Sequence, residues 1–326
     1  MSVGQIQSLA EIARHLRDGR GLAHKRDIDA VIGRLGLGDR ALAVPLGDDC
    51  AAIPDGDGYL LLAIEGFMDG FVADDPYFAG FCGVMVNVSD IAAMGGRPIA
   101  VVDALWSRDQ AHADPMLRGL RAGAETFGVP IVGGHSNTRN AGEHLAVAIL
   151  GRAKTLLTSF DARPGDSLVA AIDLRGAFRG PHPYWDAASA APALRLRGDI
   201  ELLSGIAEDG LAKAAKDISM AGLVGTALML LECSRVGASI RLDRIPRPEG
   251  IDLVRWLTAF PSFGYLLSVP PGNVDAVLGR FTQRGIAAAA IGGIDASRVA
   301  TLADGEDEAV IWDFAAGPLI GCGQGE

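Results

Sequence analysis

The segment 87–98, which reads NVSDIAAMGGRP, limits what this chain can fold into more than any other stretch. Together with residues 76–86 it repeats apolar side chains at helical spacing, and two glycines and a proline at its end predict a stop before a strand at 99–105. Asn87 and Asp90 are three positions apart and share a second face of this helix. They are either surface polar groups or the wall of a polar site.

The composition favours two packed domains and argues against two classes of partner. The chain has 326 residues, of which 49% are hydrophobic and 21% charged, which is enough for a sizeable core. Its formal charge is −11 and no basic run compensates it, so we expect neither nucleic-acid nor membrane partners. The surplus of carboxylates leaves ligands for a divalent cation. We predict domains at 1–158 and 159–326, divided where Arg163-Pro164-Gly165-Asp166 turns the chain into a new strand.

The cysteines give no sign of a metal or disulfide framework. Cys50, Cys82, Cys233 and Cys322 are far apart and form no CxxC or Cys/His pattern. The first residues lack the regions of a signal peptide, and no apolar run approaches the length of a membrane span. A cytoplasmic, reducing location is therefore the expectation.

The apolar patterns predict an α+β fold with interleaved elements. Predicted helices lie at 6–16, 27–35, 76–94, 114–127, 199–214, 222–236, 251–259 and 273–283. Predicted strands lie at 41–44, 59–64, 99–105, 129–132, 144–151, 167–172, 238–242, 264–269 and 287–291. A basic loop is expected at 17–26. The irregular stretch 176–185 is either a loop over a site or a plain surface connection.

Carboxylates follow several of the predicted strands. Asp48 and Asp49 lie directly after the first strand, where adjacent carboxylates repel each other unless solvent or a cation separates them. An exposed acidic turn is the alternative. Further carboxylates near strand ends are Glu65, Asp69 and Asp103. With Asp90, these hard oxygen ligands suit Mg²⁺ whose coordination is completed by nucleotide phosphates and water.

Two further segments carry polar groups. Gly133-Gly134 follows an apolar strand, and a glycine turn there would offer backbone N–H groups to an anion. In the second half, Lys216, Asp217 and Ser219 stand before a predicted helix. Asp217 or Ser219 either caps that helix or belongs to a site.

The order of these segments resembles thiamine-monophosphate kinase. The pieces are GDDxAxI, NVSDIAAMGGRP, VGGxS, PGDSL, KDIS and FGYLLSVP, from Gly47 to Pro270. More broadly, the chain resembles the superfamily of aminoimidazole ribonucleotide (AIR) synthase and selenophosphate synthetase, and within it the AIR synthase-related proteins. The resemblance implies an α+β, two-domain AIR synthase-like fold. Its N-terminal domain would be ferredoxin-like and form a dimeric sheet, and its C-terminal domain would be α+β.

The resemblance also implies a homodimer that binds ATP with several Mg²⁺ ions in the cleft between domains. Asp48 and Asp49 match the metal-binding GDD, and Asp90 and Asp217 match the aspartates of NLSD and DISDG. Two residues fall where the kinase has an acid of different length, and the resemblance makes them metal ligands as well: Glu65 and Asp69. The residues then predicted to line the nucleotide site beside the aspartates are Asn87, Gly133, Gly134 and Lys216.

This chain departs from the kinase pattern at three places. The family's GGDT becomes Gly133-Gly134-His135-Ser136, which replaces a metal-binding carboxylate by an imidazole that suits Mg²⁺ poorly. Met220 replaces the second aspartate of DISDG, and Cys82 stands where the kinase usually has lysine. These substitutions affect the predicted recognition of the phosphate acceptor more than the predicted binding of ATP.

The resulting hypothesis is an enzyme that uses ATP and Mg²⁺ to phosphorylate or activate a small-molecule substrate, like thiamine-monophosphate kinase. Asp217 and His135 are its predicted catalytic residues, with His135 donating a hydrogen bond or proton. In the alternative, His135 packs against neighbouring residues and only shapes the turn. Two other functions stay open: an AIR synthase-like ATP-dependent synthetase, and a nucleotide-binding dimeric partner protein with weak or no catalysis.

Overall fold

The computed structural model describes residues 8–36 and 44–322. They form two compact units. Unit 1 comprises Met1–Asp48, Thr158–Trp185 and Leu211–Glu326, and unit 2 comprises Asp49–Leu157 and Asp186–Gly210. The boundaries 1–158 and 159–326 stay a prediction. Within the described residues, no helix has both the length and the apolar character needed to cross a membrane.

The secondary structure mixes helices and strands throughout, as predicted. The helices are α1 (Leu9–Asp18), α2 (Arg20–Leu35), α3 (Asp69–Asp74), α4 (Pro76–Ala93), α5 (Gln110–Phe127), α6 (Ala193–Glu208), α7 (Gly222–Ser234), α8 (Leu253–Leu257) and α9 (Val274–Thr282). The strands are β1 (Ala51–Asp55), β2 (Gly58–Gly66), β3 (Arg97–Trp106), β4 (Ile131–Asn137), β5 (His144–Ala153), β6 (Ser167–Ile172), β7 (Ala177–Phe178), β8 (Tyr184–Asp186), β9 (Ala214–Asp217), β10 (Gly237–Arg241), β11 (Phe260–Pro261), β12 (Gly264–Val269), β13 (Ala287–Asp295), β14 (Val299–Asp304) and β15 (Asp307–Asp313).

Unit 2 contains a five-stranded sheet in the order β1-β2-β5-β3-β4. Strands β3 and β4 are parallel, and the other neighbours are antiparallel. The predicted α+β architecture is confirmed. From β2 onward the elements follow the order β2-α3-α4-β3-α5-β4-β5.

Helix α4 is the centre of unit 2, and every residue from Phe78 to Ala93 is buried. It begins with Asp75 as N-cap and Pro76 in the first turn, both common helix-start signals. A helix that is apolar on nearly all sides needs cover all round. The sheet and α5 provide it within unit 2.

Helices α4 and α5 approach each other through glycines. A Cβ at Gly119 would collide with the backbone carbonyl of Tyr77, and a Cβ at Gly80 would collide with that of Met116. These are main-chain atoms within helices, so they cannot turn aside as a flexible side chain can. The close approach fixes the position of α4.

Replacing Gly119→Ala should therefore lower the free energy of unfolding by about 1–3 kcal/mol, since the helix pair must separate to admit the methyl group. Gly279→Ala in α9 is the matched control, because a Cβ there meets no atom within 4 Å. That control should be neutral or stabilising by about 0.5–1 kcal/mol, the usual helix preference for Ala over Gly. Urea unfolding of both variants measures the difference, and equal effects would contradict the account.

The sheet of unit 2 has one buried and one exposed face. In β5 the odd-numbered residues from Leu145 to Ala153 are buried and the even-numbered ones are not. The apolar runs at 59–64 and 99–105 predict strands whose second face is covered by a partner chain, and this cover stays a prediction. Helix α4 packs on one face, while Ile64 and Val102 stay 70% and 42% exposed on the other.

Unit 1 contains a seven-stranded sheet in the order β15-β14-β10-β13-β6-β12-β9. Strands β6 and β12 have the predicted bounds, and both are almost fully buried. Strands β14 and β15 were not predicted, although Gly305 forms the turn between them with φ +58°. Helix α7 packs on β9, β10 and β12, and α9 packs on β13 and β6.

Several local predictions need correction. The loop expected at 17–26 is a single residue, Gly19, which is both C-cap of α1 and N-cap of α2. The stretch 176–185 contains β7 and most of β8, which belong to a small sheet in the order β11-β8-β7. Helix α6 lies several residues before its predicted range. Most of the predicted strand 41–44 and the start of the predicted helix 6–16 lie outside the described residues.

Candidate functional site

The polar residues of α4 are buried in the interior of unit 2. Asn87 is fully buried, and its Nδ2 donates to the carbonyl oxygens of Gly83 at 2.8 Å and Val147 at 3.0 Å. It therefore joins α4 to β5. Ser89 donates from Oγ to the Met85 carbonyl, one turn earlier in the helix. The predicted nucleotide contact of Asn87 stays a prediction, and its amide N–H groups are used to hold the helix on the sheet.

Asp49 and Asp90 bring two carboxylates together within unit 2. Asp90 is only 6% exposed and Asp49 is half-buried, and a carboxylate oxygen of each lies within 4.8 Å of the other. Like charges this close and poorly solvated favour a cation between them. Two oxygens on one Mg²⁺ at about 2.1 Å each span up to about 4.2 Å. The pair's separation of at most 4.8 Å is near this span, and its oxygen ligands are of the chemical type that a hard divalent cation prefers.

Asp48 is held by Ser159 within unit 1. Its Oδ2 accepts from the Ser159 backbone N–H at 2.8 Å, and its Oδ1 accepts from the Ser159 hydroxyl at 2.6 Å. Ser159 is itself fixed, because its carbonyl accepts from the Ser234 hydroxyl at 2.7 Å. Both oxygens of Asp48 thus have a fixed direction. Its role as a metal ligand stays a prediction.

Glu65 and Asp103 lie in one row across the sheet of unit 2. Both pair with Val147, from opposite sides, and Gly134 pairs with Asp103 on the next strand. Val147 is fully buried, so this row faces the helix side of the sheet. Partial burial raises the pKa of Asp103 above its usual value. The row gives two further carboxylates on the side of the sheet that carries α4.

Gly133 and Gly134 do not form the predicted turn. They lie inside β4, paired in register with Val102 and Asp103. The reason is visible at Gly134, where a Cβ would stand 2.5 Å from Oδ1 of Asp103. Glycine is needed here so that the Asp103 carboxylate can lie against the neighbouring strand.

His135 lies on the opposite face of the sheet from this row. It pairs with Ala104, and side chains alternate along a strand. Its ring centre is 5.9 Å from that of Trp106. The catalytic role of His135 stays a prediction, and the register favours the alternative in which its ring packs against neighbours.

Asp69 begins α3, and its Oδ1 lies 2.7 Å from Nδ1 of His144 at the start of β5. Both side chains are largely exposed. Exposed pairs of this kind contribute little to stability. The predicted metal role of Asp69 is untested, and the histidine is a competing partner for its carboxylate.

Lys216 and Asp217 end strand β9 instead of beginning a helix. Both are buried, and they pair with Leu266 and Tyr265 of β12. Helix α7 begins at Gly222, and neither Asp217 nor Ser219 caps it, since its N-cap is Ala221 with no side-chain hydrogen bond. The capping alternative is therefore wrong. A buried carboxylate at a strand end is consistent with a site residue in unit 1.

Two residues that shape this region were missed in the sequence. Ser159 orients Asp48, and Glu232 accepts three backbone N–H groups from residues 319–321. Ser159 has no distinctive local pattern. Glu232 had a signal, because it is the only charged residue in the apolar helix α7, and buried carboxylates need partners.

Comparison with known families assigns both parts of the chain. Residues 47–153 match the model described as AIR synthase related protein, N-terminal domain, and residues 186–304 match the corresponding C-terminal domain. The uncharacterized protein sll0787 of Synechocystis sp. is 48% identical over 318 residues, covering 96% of this chain and 98% of that protein.

Solved structures show the same fold at low sequence identity. Phosphoribosylformylglycinamidine synthase II of Thermotoga maritima has a TM-score of 0.77 at 18% identity, over 98% of this chain and 53% of its own. The chain thus spans about half the length of that synthase. AaThiL complexed with AMPPCP and TMP has a TM-score of 0.66 at 20% identity, over 84% of this chain and 91% of its own.

Proposed function

Because the chain belongs to the AIR synthase related protein family, we propose that it is an ATP- and Mg²⁺-dependent enzyme that transfers a phosphoryl group to a small molecule, or activates one. The bound AMPPCP of AaThiL supports the nucleotide part of the proposal. The acceptor is proposed at the level of a small molecule, and a thiamine-monophosphate kinase-like reaction is the first candidate.

The observation that carries this proposal is the Asp49–Asp90 pair. Asp90 lies on a helix whose position is fixed by backbone-to-backbone contact with α5, and its carboxylate oxygen lies within 4.8 Å of one from Asp49. We propose that these two hold Mg²⁺, which when bound neutralises charge on the phosphate oxygens. Such transfer needs positioning and electrostatics more than covalent help from the protein.

The other predicted residues have supporting roles in the proposal. Asp48 directs the loop through Ser159, and Glu65 and Asp103 supply further carboxylates on the helix side of the sheet. For Asp217, buried beside Lys216 in unit 1, the predicted roles as metal ligand and catalytic residue stay proposals. Met220 in place of a second aspartate is the reason to keep the acceptor open.

An ATP-dependent synthetase is the second candidate. It is favoured by the likeness to phosphoribosylformylglycinamidine synthase II, which covers more of this chain than AaThiL does, 98% against 84%. A synthetase would phosphorylate an amide-type oxygen so that it can leave. A synthetase would need the same nucleotide and metal as a kinase. The two candidate functions therefore differ only in the acceptor molecule.

Thermal unfolding with a matrix of ligands tests the proposal. ATP with Mg²⁺ should raise the unfolding temperature, because a ligand at about 100 times its Kd adds about 2.7 kcal/mol of stability. ATP with EDTA, and Mg²⁺ alone, should do much less. Release of ADP with a panel of small phosphates and amides then separates kinase from synthetase. No response to ATP with Mg²⁺ would contradict the proposal.

We also propose that the exposed face of the sheet in unit 2 binds the same face of a second copy. Leu62 pairs with Leu150, and Ile64 and Val102 both pair with Ala148, so large apolar side chains form one patch. They are 37–70% exposed. Contiguous exposed apolar patches commonly mark protein interfaces. The proposed homodimer accounts for this patch.

For His135 we propose the packing role, since its ring lies on this exposed face beside Trp106. His135→Ala should then leave turnover and its pH profile within about twofold of the wild type, because no proton transfer depends on the imidazole. Steady-state rates between pH 6 and 9 measure it once an acceptor is known. A large loss of turnover at unchanged ATP affinity would instead establish the catalytic role.

A further inference from the structure

Residues 319–322 form a short segment, here called the strap, that is fastened to α7 by Glu232. The carboxylate of Glu232 accepts backbone N–H groups from Leu319 at 2.9 Å, Ile320 at 2.8 Å and Gly321 at 3.2 Å. Glu232 is buried, and burial raises its pKa while these hydrogen bonds oppose the rise. Three donors on one buried carboxylate make a specific anchor.

The strap lies directly against Gly47. A Cβ at Gly47 would stand 2.5 Å from Cβ of Cys322 and 2.6 Å from its Sγ. Gly47 also has φ +116°, a conformation that other residues adopt rarely. On the α7 side, the Cys233 thiol is 3.8 Å from the Gly47 carbonyl oxygen as a weak donor. The backbone at Gly47 is thus enclosed by two cysteine side chains.

These thiols serve as packing groups. Burial raises the pKa of the Cys322 thiol to about 11 and raises that of Cys233 as well. Nucleophilic or redox-active cysteines have lowered pKa values and accessible sulfur atoms. Neither thiol has these properties, so their contact with Gly47 is the function that the structure shows.

Gly47 is followed by the two aspartates of the loop. The carboxylate of Asp48 accepts hydrogen bonds from the Ser159 backbone N–H and hydroxyl. The loop 47–49 is therefore fixed at its first residue by the strap and at its second by Ser159. Asp49 follows directly after these two fixed residues.

We propose that the strap positions the loop 47–49, and that Glu232 is a positioning residue which acts through the strap on Asp48 and Asp49. The inference rests on the proposed function only where it concerns metal binding. In this proposal Glu232 contacts neither the metal nor the nucleotide. Its effect is transmitted through Ile320, Cys322 and Gly47.

Glu232→Gln in the full chain tests the positioning itself without nucleotide. The amide oxygen can still accept from Leu319 and Gly321, which share Oε1 of Glu232, but the NH₂ group would face the Ile320 N–H. Loss of this hydrogen bond and of the negative charge should loosen the strap. Mass spectrometry should then show Cys322 alkylated by iodoacetamide at pH 8 about tenfold faster, with Cys82 unchanged as a buried control in α4. Amide hydrogen exchange at residues 48–50 should rise about tenfold, a loss of about 1.4 kcal/mol.

Cys322→Ala is the milder second variant, because it removes the sulfur from Gly47 and leaves the Glu232 hydrogen bonds intact. Exchange at residues 48–50 should rise about threefold. A chain lacking only residues 323–326 is the control for altering this end of the sequence, and it should exchange like the wild type. Faster alkylation of Cys322 with unchanged exchange at 48–50, or no change with Cys322→Ala, overturns the proposal.

Metal dependence provides a separate measurement. In the presence of ATP, Mg²⁺ should raise the unfolding temperature of the protein. Glu232→Gln should increase the Mg²⁺ concentration that gives half of this rise about tenfold. An unchanged value overturns the link between strap and metal site. If ATP with Mg²⁺ does not raise the unfolding temperature of the wild-type protein, the proposed function is contradicted. The hydrogen-exchange experiment still decides whether the strap positions the loop.

Discussion

Asp90→Asn should abolish the Mg²⁺-dependent stabilisation of the protein by ATP, while the nucleotide-free variant should unfold at a temperature equal to or higher than that of the wild type. The reason is electrostatic: the substitution removes one of two carboxylates whose oxygens lie within 4.8 Å. Without metal this relieves repulsion, and with metal it removes a ligand. Thermal unfolding with and without ATP and Mg²⁺ should show a loss of about 2–3 kcal/mol of ligand-dependent stability.

Ser89→Ala is the matched control for this experiment. Ser89 is the neighbouring buried residue of α4, and its hydroxyl bonds only to the carbonyl of Met85 among the described contacts. It should keep the full response to ATP with Mg²⁺. A folded Asp90→Asn protein with the wild-type response would remove Asp90 from the metal site and with it the main support for the proposed function.

Introducing two lysines on the exposed sheet face, Ile64→Lys and Val102→Lys, should convert a homodimer to monomers. Both residues pair with Ala148 from opposite sides, so the new charges would lie at the centre of the apolar patch. Burying two unpaired ammonium groups at an interface should weaken association at least about a hundredfold, or about 2.7 kcal/mol. Light scattering at micromolar concentration measures the mass of each form.

Leu194→Lys is the control for solubility effects, because Leu194 is 82% exposed on α6 and lies outside the sheet. Its mass should equal that of the wild type. A monomeric wild-type protein would contradict the dimer directly. The exposed patch would then need another partner.

Local sequence patterns predicted the fold best where a segment contains the residues that start and end its helix or strand. Helix α4 was predicted from apolar spacing and its terminal glycines, and β6 and β12 were predicted to the residue. Strand β4 was not, because Gly133 and Gly134 have turn-forming character and only the neighbouring Asp103 requires them in a strand. Strands β14 and β15 depend on each other for pairing, which no local pattern records.

The candidate site shows the same division. Asp49 and Asp90 were found because GDD and NVSD are contiguous in sequence and bear carboxylates. Ser159 was missed because it acts through a contact 111 positions from Asp48. His135 was predicted in a turn and lies instead within β4, where one residue of register decides which face of the strand it occupies.

The contact between Gly134 and Asp103 restricts how this family can vary at the two positions. Any side chain at 134 would need the space that the carboxylate of 103 occupies, 2.5 Å from the Cβ position. A Cβ at 134 would also stand 2.7 Å from the backbone carbonyl oxygen of Asp103, so shortening the residue at 103 does not by itself admit a larger residue at 134. Glycine should therefore persist at 134 even where the residue at 103 changes, and a library that varies both positions should recover glycine at 134 in most folded variants.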